Sequence, residues 1–294
     1  MTLLAASAEA GSAHIVADDA EKQGGPVSPS KRYARYSYVW AKSYSALSLA
    51  ELGAFKDATV CGEQALEVAQ PLGMYYAQAG AYAFVAMAYL REGKVDRGLA
   101  LVNRSLDIVG RADVQEVQHM MAFTYMACGY GYTLAQRYEE GIALMEHARR
   151  SDEAIGESSW SAINRAHLAQ VYLGLGRSEE ALATAEEGVS LAHRYQRPGQ
   201  EAWALHTLGQ IHARRDPPDL SSARDVLQES LRLARELGMR PLEAQCLLEL
   251  GSLSALIPEE RCEHLAAATQ MFSEMGMEFW LEKACVSSSL LSGA

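Results

Sequence analysis

One segment of the chain is written twice, and that repetition constrains the fold more than any other feature. ARDVLQESLRLARELGM, beginning at Ala223, is answered 38 residues later by RCEHLAAATQMFSEMGM, beginning at Arg261. Leu227 answers Leu265, Ser230 answers Ala268, Ala234 answers Phe272, and Gly238-Met239 answers Gly276-Met277. A repeat at this spacing points to an array of helical hairpins, each burying its apolar face against the next.

Used as a ruler, the duplication extends backwards. A first small position recurs at Ala58, Gly98, Gly141, Ala181 and Ala223, with Arg261 in the last slot, at intervals of 40, 43, 40, 42 and 38 residues. A second recurs at Ala65, Ser105, Ala148, Gly188, Ser230 and Ala268 with the same intervals. Each unit has two helical halves. Tyr125, Cys128, Gly129 and Tyr132 share one face of a first helix, AQRY turns the chain, and Gly141, Met145 and Ala148 continue the face on a second. In the fifth unit Pro217-Pro218 cannot continue a helix, and Asp219 or Ser221 can cap the next one. In the sixth, Pro258 opens the second helix, with Glu259-Glu260 favourable at its positive end.

The small residues have a mechanical reason. Antiparallel helices approach closely only where side chains shrink, so Gly or Ala on one faces Ala or Gly on the other. Enlarging a slot, as in Ala181→Leu or Gly209→Phe, is expected to cost about 1–3 kcal/mol by overpacking.

Charge narrows the range of partners. The 294 residues carry 26 basic and 37 acidic side chains, a net charge of −11. Such a surface repels nucleic-acid phosphates and anionic lipid, so neither nucleic acid nor membrane is an expected partner. The run AQAGAYAFVAMAYL from Ala77 is too short and too rich in small residues to span a bilayer. MTLLAASAEA lacks a basic stretch and meets Glu9 early, so no secretory signal is read there, and the expected location is cytoplasmic. Cys61, Cys128, Cys246, Cys262 and Cys285 are scattered, with no CxxC pair, and read as reduced thiols packed as small apolar residues.

Catalytic and metal chemistry find no support in the spacing. The eight His include no HxxxH or HExxH, and Cys262 and His264 are two apart, so on one helix they diverge. There is no GxSxG, and the GxG at Gly174–Gly176 ends a helix inside a repeat. Pairs such as Glu139-Glu140, Glu179-Glu180 and Glu186-Glu187 read as solvated helix faces. No enzyme activity, cofactor or metal is expected.

YMACGYGY at 125–132, LHTLGQIH at 205–212 and LLELGSLS at 247–254 stand where the tetratricopeptide repeat carries W-x2-L-G-x2-Y. The chain resembles that family over roughly 36–292, with a period above the usual ~34 residues, which implies helices longer by about a turn. The resemblance implies an all-α fold, an α-α superhelix of about six helix-turn-helix repeats of ~40 residues spanning 32–294. A flexible segment, 1–31, would precede it. A final helix near Glu278 to Leu291 would cap the stack, with Trp280 over the sixth unit. Three further stretches, 201–223, 233–253 and 271–284, resemble the C-terminal repeat tail of bacterial signalling proteins that join an adenylate/guanylate cyclase domain to an AAA-type ATPase. That resemblance implies an isolated regulatory tail without cyclase activity, since the chain has neither a phosphate loop nor room for a cyclase domain.

In such a superhelix the first helix of each unit lines the inner wall. Relative to its tight Gly or Ala, the residues six before, three before and one after face inwards. These are Trp40, Ser43 and Leu47; Gly80, Ala83 and Met87; Phe123, Met126 and Tyr130; Ile163, Ala166 and Gln170; Trp203, His206 and Gln210; and Gln245, Leu248 and Ser252. The Lys, Arg and Asn with which tetratricopeptide clamps hold chaperone carboxylates are missing there. Two readings of the wall stand together: anchors for an apolar or amphipathic peptide, and packing between neighbouring repeats. The expected function is a non-catalytic scaffold that binds a protein or peptide partner in its concave groove, in signalling or regulation. The alternative is a ligand-sensing regulatory module, with a small molecule near Trp40, Phe123 and Trp203.

Overall fold

The computed structural model describes residues 29–111, 114–154, 156 and 160–292, with nothing said of the side chains of 29, 114–119 and 290–292. Among them lie thirteen helices and no strand. They pair as α1 (Pro29–Glu51) with α2 (Phe55–Ala69), α3 (Tyr75–Glu92) with α4 (Val95–Arg111), and α5 (Val114–Leu134) with α6 (Tyr138–Ala154). The pairing continues as α7 (Ser161–Gly174) with α8 (Ser178–Arg194), α9 (Pro198–Arg214) with α10 (Leu220–Leu237), and α11 (Arg240–Ser252) with α12 (Pro258–Met275). Helix α13 (Glu278–Ser292) follows alone. The expected lead-in falls outside the described residues up to position 28, and α1 takes up 29–31.

The duplicated Gly-Met has a local cause. Gly238 and Gly276 each stand just past a helix at φ 69°, a left-handed conformation that glycine adopts without a Cβ clash. The next residue then folds back, Met239 N–H donating to Ala234 O at 2.8 Å and Met277 N–H to Phe272 O at 2.9 Å. Both Met side chains are buried beneath the turn, completing a Schellman cap. Of the two capping candidates at α10, Asp219 is the one used: its carboxylate accepts from the Ser222 N–H at 3.0 Å and the Ser221 hydroxyl at 2.9 Å.

The small slots close the hairpins. Ala58, Gly98, Gly141, Ala181 and Ala223 are buried, as is every member of the second series, while Arg261 is only half-buried. Where Ser replaces Ala in that series its hydroxyl finds a partner: Ser105 donates to Ala79 O at 2.8 Å and Ser230 to Ala202 O at 2.7 Å. A Cβ on Gly209 would lie 2.5 Å from Leu227 Cγ and 2.8 Å from its Cδ2. Gly209→Phe therefore forces α9 from α10, and a lowered melting temperature is the expected result at about 1–3 kcal/mol; an unchanged melting point would mean that the slot is not a contact.

Helix α3, which carries the long weakly polar run, is wrapped on all sides by its neighbours and is buried from Ala79 to Glu92. An all-round apolar helix is a core helix when other helices surround it. Among the described residues no helix is long and apolar enough to cross a membrane. Cys128 and Cys246 pack in the core as expected, but Cys262 and Cys285 are exposed on outer faces.

The superhelix closes on itself within one turn. Glu51, at the end of α1, accepts a hydrogen bond from Trp203 Nε1 of α9 at 2.9 Å, across 152 residues of sequence. A Cβ on Gly53 would lie 2.6 Å from Met275 Sδ, and one on Gly93 2.8 Å from Phe279 Cβ. The first two units thus abut the last two. Trp280 is buried and stacks on Phe272 of α12 at 6.3 Å between ring centroids, capping the sixth unit.

Candidate functional site

The inner wall is built by α1, α3, α5, α7, α9 and α11, and the closure turns it into a channel with a plug across its middle. Arg91 of α3 is the centre of the plug. It is 2% exposed, its Nε donates to Glu51 Oε1 at 2.7 Å, and its guanidinium lies over the Trp203 ring at 3.9 Å and the Tyr130 ring at 4.9 Å. Tyr130 stacks on His167 at 4.1 Å, and His167 Nδ1 pairs with Gln170 Oε1 at 3.2 Å. From there Gln170 Nε2 donates to Gln210 Oε1 at 3.2 Å, and Gln210 Nε2 to Glu249 Oε1 at 2.6 Å. Arg214 ends the chain, donating to both Glu249 oxygens at 2.7 and 2.9 Å.

Burial tunes these groups. It holds the His167 pKa well below its ordinary value, reinforced by Arg91, and pulls that of His206 down to about 4. Both imidazoles are therefore neutral at pH 7. Burial also opposes the charge on Glu249, yet Arg214, with His206 and Gln210, keeps its carboxyl below the ordinary range. The same burial pushes the Cys128 and Cys246 thiols up to about 12, so neither is a thiolate nucleophile. Among the described residues no three His, Cys, Asp or Glu side chains converge as a metal site would require.

Two cavities flank the plug. One, of about 440 Å³, is lined by Leu47, Met87, Phe123, Met126 and Trp203, with Tyr44, Trp160, Glu51 and Arg91. The other, of about 820 Å³, is lined by Tyr130, Gln170 and Gln210, with Arg214, Gln245, Glu249, Trp280 and Lys283. Eight of the eleven residues expected to bind a partner are thus divided between two mouths. Trp40, Ser43 and His206 line neither cavity. Trp40 is half-buried between Tyr36, Tyr44, Tyr76 and Phe84, and Gly80 gives its ring room. Ser43 is fully buried. His206 lies beside Trp203, 6.0 Å between centroids. Of the eleven, all but Trp40 and Gln170 are buried.

Sequence reasoning placed few charges on this wall, and the structure adds Glu51, Arg91, Arg214 and Glu249. Three of them share a signal. Glu51, Arg91 and Arg214 each stand five residues after the tight position of their helix (Ala46, Ala86 and Gly209), one turn beyond the inward residue at plus one. Extending the inward series by that turn would have found them.

No protein-family model matches the chain. Among solved structures, a Rap protein complexed with competence and sporulation factor is similar over 88% of this chain and 74% of its own, with a TM-score of 0.59 and 14% identity. A Signal Transduction ATPase with Numerous Domains carrying a tetratricopeptide repeat sensor, from Pyrococcus horikoshii, is similar over 88% of this chain, with a TM-score of 0.52 and 12% identity. The fold is a tetratricopeptide-like solenoid. This solenoid matches 43% of the Pyrococcus chain. The 43 kDa receptor-associated protein of the synapse from Tetronarce californica is 31% identical over 92 residues, which are 31% of this chain and 22% of that protein. At these identities the structural likeness concerns the fold alone.

Proposed function

We propose that the chain is a non-catalytic scaffold that takes a short segment of a protein partner into the wider channel mouth, in signalling or regulation. The row Gln170–Gln210–Glu249–Arg214 carries this reading. It sets amide donors and acceptors along one wall of a cavity of about 820 Å³. An extended peptide offers one N–H and one C=O per residue, the groups that such amides can take up in place of one another. Phe279, half-buried, lines this mouth as an aromatic anchor. The plug blocks passage through the channel, so the guest is a terminus or a loop tip and not a long threaded helix.

Support for a signalling role comes from the resemblance of 201–223, 233–253 and 271–284 to cyclase–ATPase tails, and from the solved neighbour named for a tetratricopeptide sensor on a signal-transduction ATPase. Five free thiols support a reducing, cytoplasmic setting. Peptides selected from a display library on the purified protein test the reading. Gln170→Ala with Gln210→Ala is expected to weaken them by about tenfold, the worth of one or two net hydrogen bonds, with the helical content retained. Unchanged affinity in that variant, or turnover of nucleotide by the protein alone, would sink it. A second reading, a ligand-sensing module, rests on the aromatic cavity of about 440 Å³ at the opposite mouth.

A further inference from the structure

The smaller cavity differs in kind from the peptide mouth. Part of its lining is aromatic and sulfur-rich: Phe123 packs against Trp160 at 4.8 Å, Phe84 stacks behind Phe123 at 4.2 Å, and Met87, Met126 and Met239 stand beside them, while Ser48, Gln196, Arg197 and Gln200 add polar groups that are exposed or half-buried. Offset ring stacking and sulfur–ring contacts both favour a flat aromatic guest. The end of the cavity is shut by Glu51, Arg91 and Trp203, so nothing long can pass. At about 440 Å³ it lies within the ~300–1,000 Å³ range of small-molecule sites.

The floor supplies a buried cation. Arg91 is 2% exposed, and its Nη1 is buried without a hydrogen-bond partner among the described residues, although Nε is fixed by Glu51. A buried guanidinium N–H left unpaired is costly, and a ligand oxygen would remove that cost. Glu51 is already committed on both oxygens, one to Arg91 and one to Trp203, and does not compete for the same N–H.

We propose that this cavity is a binding site for a small flat aromatic molecule bearing one oxygen acceptor, its ring against Phe123 and Trp160 and its oxygen on Arg91. The inference deepens the ligand-sensing reading and is independent of the peptide mouth, because the two sites lie on opposite sides of the plug.

Anilinonaphthalene sulfonate, a flat probe with an acidic oxygen group, tests it on the full chain by fluorescence titration. The expected result is saturable binding of one equivalent, with loss of tryptophan emission as Trp160 and Trp203 transfer energy to the probe. Ser48 lines the cavity yet is exposed, so Ser48→Trp fills the space without disturbing the core, and is expected to weaken the probe by about tenfold or more. N-phenylnaphthylamine, which lacks the acidic group, is expected to bind about tenfold less tightly for want of the Arg91 hydrogen bond. The Gln170→Ala/Gln210→Ala variant should bind the probe as the parent does; weakening there would move the site to the other mouth and overturn the proposal. Equal affinity in Ser48→Trp, equal affinity for the two probes, or binding that never saturates would also overturn it. Probe binding that leaves peptide affinity unchanged would keep the site and remove the sensing role.

Discussion

Glu51→Ala is expected to destabilise the chain by about 3–5 kcal/mol, far more than a half-exposed glutamate at a helix end ordinarily would. The reason lies in its partner. Arg91 is 2% exposed, and without Glu51 its charge stays in a low-dielectric channel with the Trp203 ring and the neutral Tyr130 side chain beside it and no counter-charge from Glu51. Trp203 Nε1 loses its acceptor in the same step. Adding Arg91→Met is expected to recover much of the loss, since removing both charges is far cheaper than removing one. Chemical denaturation of the two single variants and the double gives the coupling directly. Strictly additive costs, or a Glu51→Ala midpoint equal to the parent's, would show that the plug does not hold the superhelix closed. Each unit of a solenoid ordinarily touches only its neighbours, so this contact also ties the first units to the fifth. Hydrogen exchange in α1 should accordingly accelerate in Glu51→Ala.

The second large effect concerns Trp203. Its side chain is 3% exposed, and replacement by Ala is expected to cost about 3–5 kcal/mol through the cavity left behind. The loss includes the ring beneath Arg91 and the hydrogen bond to Glu51. Trp203→Phe keeps much of the packing and drops only the N–H, so about 1–3 kcal/mol is expected for the unpaired Glu51 oxygen. Midpoints of denaturation that place the two variants together would assign the whole effect to the hydrogen bond. This ordering affects how binding should be probed: a Trp203→Ala/Phe123→Ala pair, though both residues belong to the inward series, removes two core rings and would lose partner binding by unfolding. The glutamines at the wide mouth and Ser48 at the narrow one leave the core intact.

Much of the architecture is legible in local spacing. The alternation of small slots at Ala58, Gly98, Gly141, Ala181 and Ala223 locates five hairpins, because helices can approach only there. The Gly-Met pairs at 238 and 276 mark helix ends, since a left-handed glycine followed by a buried apolar residue is a local motif. Of the positions at six before, three before and one after the slot, Leu47, Met87, Phe123 and Tyr130 are among those that line the two cavities, while Trp40, Ser43 and His206 line neither. Their burial was not legible, because a residue facing the axis is open or covered according to what stands across the channel.

What the sequence determined by itself is therefore the unit: two antiparallel helices, the slots that lock them, the caps that end them, and a wall facing inwards. Only the tertiary structure decided that the wall closes into a plugged channel with two unlike cavities. The reason is one of range. A hairpin is fixed by residues three to forty apart, whose spacing can be read in a single window. The meeting of Glu51 with Trp203 depends on small rotations accumulated across the intervening units, and no local pattern carries that sum.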